Sequence, residues 1–195
     1  GELIMLATNL QPFLMGIAVS VLVGIALTLP ISSAAICAAF GLTGLAGGAA
    51  VAGCCAQMVG FAVMSFKENR WGGLVSQGIG TSMLQMGNII KNPRIWIAPI
   101  VTSAITGPMA TCLFKLQMNG TPVSSGMGTC GFVGQIGVYS GWVNNIANGT
   151  KAAITGFDWA GMILISFVLP AVLCPLINML LKKIGWVKDG DMKLS

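Results

Sequence analysis

The chain has 195 residues, of which 55% are hydrophobic and only 8% are charged. Soluble globular domains carry about 25% charged residues, so the composition excludes an ordinary water-soluble fold. The net charge of +5 does not indicate a nucleic-acid partner, because the basic residues cluster at the ends of apolar stretches, as is typical beside membrane lipids. The sequence contains no histidine, and its six cysteines lack the spacing of metal ligands. We therefore expect neither a metal nor another cofactor.

Long apolar stretches predict an all-α integral membrane protein with about four transmembrane helices. A hydrocarbon core of ~30 Å is crossed by about 20 apolar residues. The predicted spans are residues 11–29, part of the apolar run 34–66, residues 95–113 and residues 159–181. The run 34–66 is too long for one perpendicular helix, and its glycines predict a break within residues 41–48. We treat residues 1–195 as a single transmembrane domain that ends in a basic tail, residues 182–195.

A stripe of small residues recurs at every fourth position within the run 34–66. Its members are Gly44, Gly48, Ala52, Ala56 and Gly60. Such a stripe lets a second helix approach closely, so we interpret it as a packing surface. The alternative is that the same groove lines a solute pathway, with Gln57 as a polar contact. Ser32 and Ser33 are expected to cap the helix that follows Pro30, and they are weaker candidates for the same lining.

The segment 74–90 is too polar to lie in lipid, because serine, threonine, glutamine and asparagine interrupt its apolar residues. It predicts an amphipathic helix at the membrane interface. Gln85 and Asn88 on this helix are candidate ligand contacts. Glu68 lies in the charged turn that precedes it, where a solvated surface position is the simplest interpretation. The alternative is that Glu68 turns into a cavity and accepts a hydrogen bond from a solute hydroxyl.

An uncharged, glycine-rich segment, residues 126–135, separates two of the more apolar regions. Irregular backbone at membrane depth is tolerated only where protein or a water-filled cavity satisfies its polar groups. We therefore predict a re-entrant segment at which a small solute binds, with Thr129 and Gln135 as its main contacts. Glycines would shape this backbone, namely Gly126, Gly128, Gly131 and Gly134. The alternative is a tight turn that only packs. The segment is not a dinucleotide-binding loop, because no strand–helix unit surrounds it.

The basic residues are distributed unequally between the two predicted membrane faces. If residues 117–150 enter and leave the membrane on one side, Lys115 and Lys151 lie on one face. The other face then carries Lys67, Arg70, Lys91, Arg94, Lys182, Lys183, Lys188 and Lys193. Cytoplasmic loops are enriched in lysine and arginine. This pattern predicts a multi-pass protein of the bacterial plasma membrane with both termini in the cytoplasm.

Five blocks of the chain resemble one known family. They are Leu27-Thr-Leu-Pro-Ile-Ser-Ser-Ala-Ala35, Ala56-Gln-Met-Val-Gly-Phe-Ala-Val-Met-Ser-Phe66, Gly80-Thr-Ser-Met-Leu-Gln85, Lys91-Asn-Pro-Arg-Ile-Trp96 and Gly126-Met-Gly-Thr-Cys-Gly-Phe-Val-Gly-Gln135. Together they resemble the bacterial enzyme IIC-type membrane subunits of the phosphoenolpyruvate-dependent sugar phosphotransferase system. The resemblance covers roughly residues 10–140 and falls on the C-terminal half of longer relatives. We therefore expect this chain to be part of a longer protein or the partner of an N-terminal half.

The resemblance implies a sugar-translocating subunit that contacts membrane lipids and works as a homodimer. Cytoplasmic IIA and IIB subunits would carry the phosphate, and we assign no catalytic residue to this chain. Better-studied relatives place an acidic residue and a histidine near the sugar, and here only Glu68 offers such an acid. Two alternatives stay open. One is a non-transporting membrane regulator or scaffold, and the other is a channel or facilitator for another solute.

Overall fold

The computed structural model describes residues 2–194, and within that range the regular secondary structure is helical. The one pairing of extended segments there is an isolated antiparallel bridge between Gly44 and Met118. The helices are α1 (Glu2–Leu10), α2 (Pro12–Thr28), α3 (Ser33–Phe40), α4 (Gly44–Met64), α5 (Phe66–Val75), α6 (Met86–Lys91), α7 (Ile97–Pro108), α8 (Pro122–Ser125), α9 (Val133–Ala147), α10 (Gly156–Ile163) and α11 (Leu169–Ile184). The all-α prediction is confirmed.

Three continuous helical stretches are long and apolar enough to cross a membrane. They are Gly44–Met64, Pro93–Leu113 and Gly156–Ile184. The last two contain π-helical turns, at Met109–Leu113 and Leu164–Val168. The first predicted span corresponds to α2, which is apolar but has only 17 residues, or about 26 Å of helix. Three of the four predicted spans therefore have the expected length, and the first is shorter.

Helix α4 lies at the centre of the molecule and is buried along almost its whole length. Its glycines lie where neighbouring backbone comes closest. An added Cβ at Gly53 would overlap the carbonyl group of Ser20 in α2, and one at Gly48 would overlap the carbonyl group of Leu116. A Cβ at Gly60 would meet a side chain of α11. Gly48 and Gly60 belong to the small-residue stripe, so its interpretation as a packing surface is confirmed at these two positions.

The predicted break in the run 34–66 lies between α3 and α4. Helix α3 ends at Phe40, and Gly41 adopts a left-handed conformation with φ of 61°, which glycine tolerates at little cost. The eight-residue α3 forms a hairpin with α2, and the tip of this hairpin lies at Pro30. The break divides one apolar run into a short helix and a long one.

A second hairpin consists of the short helix α8 and the longer helix α9. Its tip is the glycine-rich segment, in which Gly128 and Gly131 have φ of 54° and 55°. An added Cβ at Gly128 would lie 2.6 Å from the Cβ of Cys54, near the middle of α4. The Oγ of Ser33 donates a hydrogen bond of 2.7 Å to the carbonyl oxygen of Gly126. The tips of the two hairpins therefore meet beside the middle of α4.

The prediction of a single amphipathic interfacial helix over residues 74–90 is wrong. Helix α5 ends at Val75, a π-helical turn follows at Ser76–Gly80, and a 3-10 turn at Ser82–Gln85 leads into α6. Gln77, Ser82 and Gln85 are completely buried. Glycines interrupt the helix, and the buried amide and hydroxyl groups find hydrogen-bond partners inside the protein, so the segment turns inward.

The described ends of the chain lie at opposite ends of α4, and the membrane side of each terminus stays a prediction. The Oγ1 of Thr43, just before α4, donates to the Sδ of Met5 at 3.3 Å, whereas residues 185–194 contact α5 and α6 beyond the end of α4. Helix α2 runs parallel to α4, since Ser20 lies beside Gly53 and, two turns later, Thr28 bonds to Gln57. We call the region of α5, α6 and residues 185–194 the charged end.

The glycine contacts of α4 predict a large difference between two glycine substitutions. Gly53→Ala should destabilise the protein by about 1–3 kcal/mol, because the new methyl group has no space and the backbones must separate. Gly72→Ala is the matched control, because an added Cβ there has no atom within 4 Å. Thermal unfolding of both variants in detergent measures the difference. Equal stability of the two variants would contradict close packing at Gly53.

Candidate functional site

The two hairpin tips and the turn that follows α5 border an open pocket, here named the tip cavity. Its volume is about 400 Å³, and its lining includes Pro30, Ser32, Ser33, Thr81, Met127 and Cys130. Helices that break within a membrane domain place backbone ends and polar groups at membrane depth, where solute sites of transporters occur. The predicted contacts Ser32 and Ser33 therefore lie beside a space large enough for a small solute.

The two serines also stabilise the local backbone. Ser32 is the N-cap of α3, and its Oγ accepts a hydrogen bond of 3.1 Å from the amide of Ala35. Ser33 bonds to the carbonyl oxygen of Gly126 in the other hairpin. Gly126 has no space for a side chain, because an added Cβ would lie 2.6 Å from the carbonyl oxygen of Ser33. The glycine and the serine thus join the two tips.

Thr129 fastens the glycine-rich tip to the turn after α5. Its side chain is completely buried, and its Oγ1 donates to the carbonyl oxygen of Gly78 and lies 3.5 Å from the Sδ of Met58. The amide of Gly134 donates to the carbonyl oxygen of Gly128 at 3.0 Å. In this structure the hydroxyl hydrogen of Thr129 serves an internal bond, and contact with a ligand stays a prediction.

Gln135 belongs to a buried polar cluster on another face of α4. Its Nε2 donates to the Sγ of Cys55 at 3.3 Å, whereas its Oε1 has no hydrogen-bond partner in the protein. The Oγ of Ser166, in the π-helical turn between α10 and α11, is also buried and unpartnered. Ser166 was missed by sequence analysis, because a single serine in an apolar span gives no signal.

Gln57 is the centre of a second buried cluster, which lies beside the tip cavity. Its Oε1 accepts hydrogen bonds from Thr28 Oγ1 at 3.1 Å and from Trp96 Nε1 at 2.8 Å. The hydroxyls of Thr28 and Ser82 are 2.8 Å apart. The Nε2 of Gln57 is buried and has no partner. The sequence neighbours of Thr28 and Ser82, Leu27 and Thr81, line the tip cavity, so the free amide lies one layer behind its wall.

The structure does not bring Gln85, Asn88 and Glu68 to the tip cavity. They lie at the charged end, where Gln85 bonds to the Oε1 of Gln77 at 2.8 Å and Asn88 bonds to the Oε1 of Gln85 at 2.8 Å. All three also bond to the backbone of the C-terminal tail. This arrangement could not be found by sequence analysis, because the tail is about 100 residues away in the chain.

A further cavity of about 300 Å³ lies at the end opposite to the charged end. Its walls include the aromatic rings of Phe114, Trp142 and Phe157. Asp158 is held in place by Lys151, whose Nζ lies 2.7 Å from its carboxylate. Asp158 also forms a capping box with Thr155 at the start of α10. Aromatic faces combined with a fixed carboxylate suit a polyhydroxylated ligand.

The comparisons with known proteins give the family of the chain. The family model described as "Phosphotransferase system, EIIC" matches residues 1–194. The chain belongs to the phosphotransferase system EIIC family. The resemblance drawn from blocks in residues 10–140 is confirmed, and the match extends over almost the whole sequence. No curated protein and no solved structure matches the chain. With its long apolar helices, this EIIC protein is a membrane subunit of bacterial sugar transport.

The hydroxyl group of Thr129 is expected to stabilise the hairpin tip. Thr129→Val keeps the shape of the side chain but leaves the buried carbonyl oxygen of Gly78 without its donor, so we expect a loss of about 1–3 kcal/mol. Thr129→Ser retains a hydroxyl group and should lose much less. Thermal unfolding in detergent distinguishes the two. A valine variant as stable as the serine variant would show that the bond contributes nothing.

Proposed function

We propose that this EIIC subunit passes a sugar through the membrane at the tip cavity, coupled to phosphorylation by partner subunits. The observation that carries the proposal is the meeting of two helical hairpin tips beside the middle of the buried α4. The second tip, residues 126–135, would form the re-entrant segment. Exposure of these backbone breaks to lipid would be costly, whereas a polar ligand in a protein-lined cavity is compatible with them.

The side-chain groups proposed to contact the sugar are those that lack partners. The Nε2 of Gln57, one layer behind the wall of the tip cavity, is a donor, and the Oε1 of Gln135, on another face of α4, is an acceptor that the sugar would meet further along its path. A buried polar group without a partner costs about 1–3 kcal/mol, so a sugar hydroxyl that reaches it contributes both affinity and stability. Ser32 and Ser33 would add contacts at the cavity wall, and Gly126, Gly128, Gly131 and Gly134 would let the backbone approach the ligand.

The direction of passage follows from the charge distribution. Five lysines and arginines lie within the charged end, and Arg94, Lys182 and Lys183 adjoin it, whereas Lys115 and Lys151 line the cavity at the other end. By the positive-inside rule the charged end would face the cytoplasm. The cavity beside Trp142 would then face outward and admit the sugar. Cytoplasmic IIA- and IIB-like subunits would dock at the charged end and phosphorylate the emerging sugar, and by family resemblance the subunit would act as a homodimer.

Sugar binding by purified protein tests this proposal. D-glucose, D-mannose, D-galactose, D-fructose and D-mannitol are each added in detergent, and the thermal midpoint is measured. At least one sugar should raise the midpoint of the unmodified protein. Gln57→Met should weaken the binding of that sugar by about 3–10-fold, since one hydrogen bond contributes about 0.5–1.5 kcal/mol.

Asn148→Ala is the control, because this exposed residue lies away from the tip cavity and should bind sugar like the unmodified protein. If none of the five sugars shifts the midpoint, the proposal is wrong. If a sugar binds equally well to the Gln57→Met variant, the site lies elsewhere in the chain.

A further inference from the structure

The last residues of the chain fold back over the charged end. After α11 the chain turns at Gly185, which has φ of 87°, and turns again at Gly190, with φ of 94°. Between these glycines and the end, Val187 and Met192 are buried, and Met192 packs in a cluster with Phe61 of α4. We name residues 186–194 the strap. The predicted basic tail is therefore a docked segment of the fold.

Side chains hold the strap mainly by its backbone. The side-chain Nδ2 of Asn69 donates to the carbonyl oxygen of Met192 at 2.8 Å, and its Oδ1 accepts from the backbone amide of Leu194 at 2.7 Å. Gln85 donates to the same carbonyl at 2.9 Å, and Asn88 donates to that of Lys193 at 3.0 Å. The three carboxamides thus present donors and an acceptor in a row, and the strap fills all of these positions.

These carboxamides continue inward as a buried hydrogen-bond chain. Gln85 bonds to Gln77, and Gln77 bonds to the Oγ of Ser65 at 2.9 Å. Ser65 is the residue directly after α4. Gln77 and Gln85 are completely buried, and the strap provides the outermost partner of this chain. If the strap withdrew and nothing replaced it, the side-chain Nε2 of Gln85 would lose its hydrogen bond to Met192, which is costly for a buried group.

We propose that the strap closes the cytoplasmic end of the sugar pathway, and that a departing sugar and the strap compete for Asn69, Gln85 and Asn88. The inference rests on the proposed function for the nature of the ligand and for the side it leaves from. A sugar offers neighbouring hydroxyl groups that both donate and accept hydrogen bonds. It can therefore replace the two carbonyl groups and the amide group of the strap that bond to these side chains without leaving the buried carboxamides unsatisfied.

The strap is suited to yield to a weakly bound solute. A segment tethered by a short flexible connection has an effective concentration in the millimolar range, and Gly185 joins the strap directly to α11. Its ion pair, Lys182 Nζ to Asp189 Oδ1 at 2.7 Å, is exposed on the Asp189 side and contributes little. Val187 and Met192 are the two buried anchors of the strap. Displacement therefore requires extraction of two side chains and exchange of the hydrogen bonds that hold the strap.

The test compares the full chain with a variant truncated after Gly185 and with Gly190→Pro. Proline cannot adopt the positive φ of Gly190 and removes the amide that donates to Glu68 at 2.6 Å, so it should release the strap without deleting it. The five sugars named above are titrated by calorimetry. Both variants should bind the sugar that binds the full chain about tenfold more tightly, because no strap has to be displaced. Lys193→Gln, an exposed change that keeps the backbone bonds, should bind like the full chain.

Hydrogen exchange of the strap amides provides a second measurement on the unmodified protein. Saturating sugar should accelerate exchange about tenfold or more at Leu194, since the ligand takes its acceptor Asn69, and at Gly190, since the released strap leaves Glu68. If the truncated variant does not fold, Gly190→Pro and the exchange data decide. If the variants bind sugar with unchanged affinity and sugar leaves the exchange unchanged, the proposed role of the strap alone is overturned. Absence of binding in every form of the protein would overturn the proposed function and the strap with it.

Discussion

The architecture depends on the close approach of other backbones to α4. Lipid provides no hydrophobic drive for one apolar helix to join another, so membrane helices associate through packing and hydrogen bonds. Here the glycines of α4 remove the side chains that would keep α2 and the segment after α7 at a distance. Because α4 is enclosed by protein on nearly every side, its neighbours have a fixed frame, and the two hairpins can end beside it.

The backbone breaks beside α4 are stable because their polar groups find partners. The carbonyl oxygen of Gly126 accepts from Ser33, that of Gly128 accepts from the amide of Gly134, and that of Gly78 accepts from Thr129. Each bond joins the glycine-rich tip to itself or to a neighbouring segment. The tips are therefore held by a small number of specific bonds.

Much of this fold could be predicted from the sequence, because apolar length and glycine spacing act locally. The break at Gly41, the packing stripe and the long spans all follow from such local patterns. The direction of α2 could not be predicted, since Glu2 is the only charged residue before Lys67 and hydropathy carries no direction. The inward turn of residues 76–85 and the docking of the strap depend on hydrogen bonds between distant segments, which composition does not report.

The candidate site also combines residues that local sequence predicts with residues that only the tertiary structure brings in. Serine and glycine positions near 30 and 130 are predictable from motif chemistry, whereas Trp96 and Ser166 enter through tertiary contacts alone. Trp96 gives only the signal of an interfacial aromatic residue beside Arg94. Its Nε1 nevertheless donates to Gln57 and orients the amide whose other end is unpartnered. A residue that positions a polar group in this way is visible only when both helices are placed.

The two ends of the molecule differ in a way that bears on transport. The end near Trp142 has an open cavity with a fixed carboxylate, whereas the charged end is covered by a segment whose backbone fills the polar positions there. A transporter that exposes its site to one side at a time needs a barrier on the other side. If the charged end faces the cytoplasm, as its basic residues indicate, the covered end would face inward and the cavity beside Trp142 would face outward. The strap then supplies a barrier made from backbone hydrogen bonds, and a polyhydroxylated solute is the kind of molecule that can replace them.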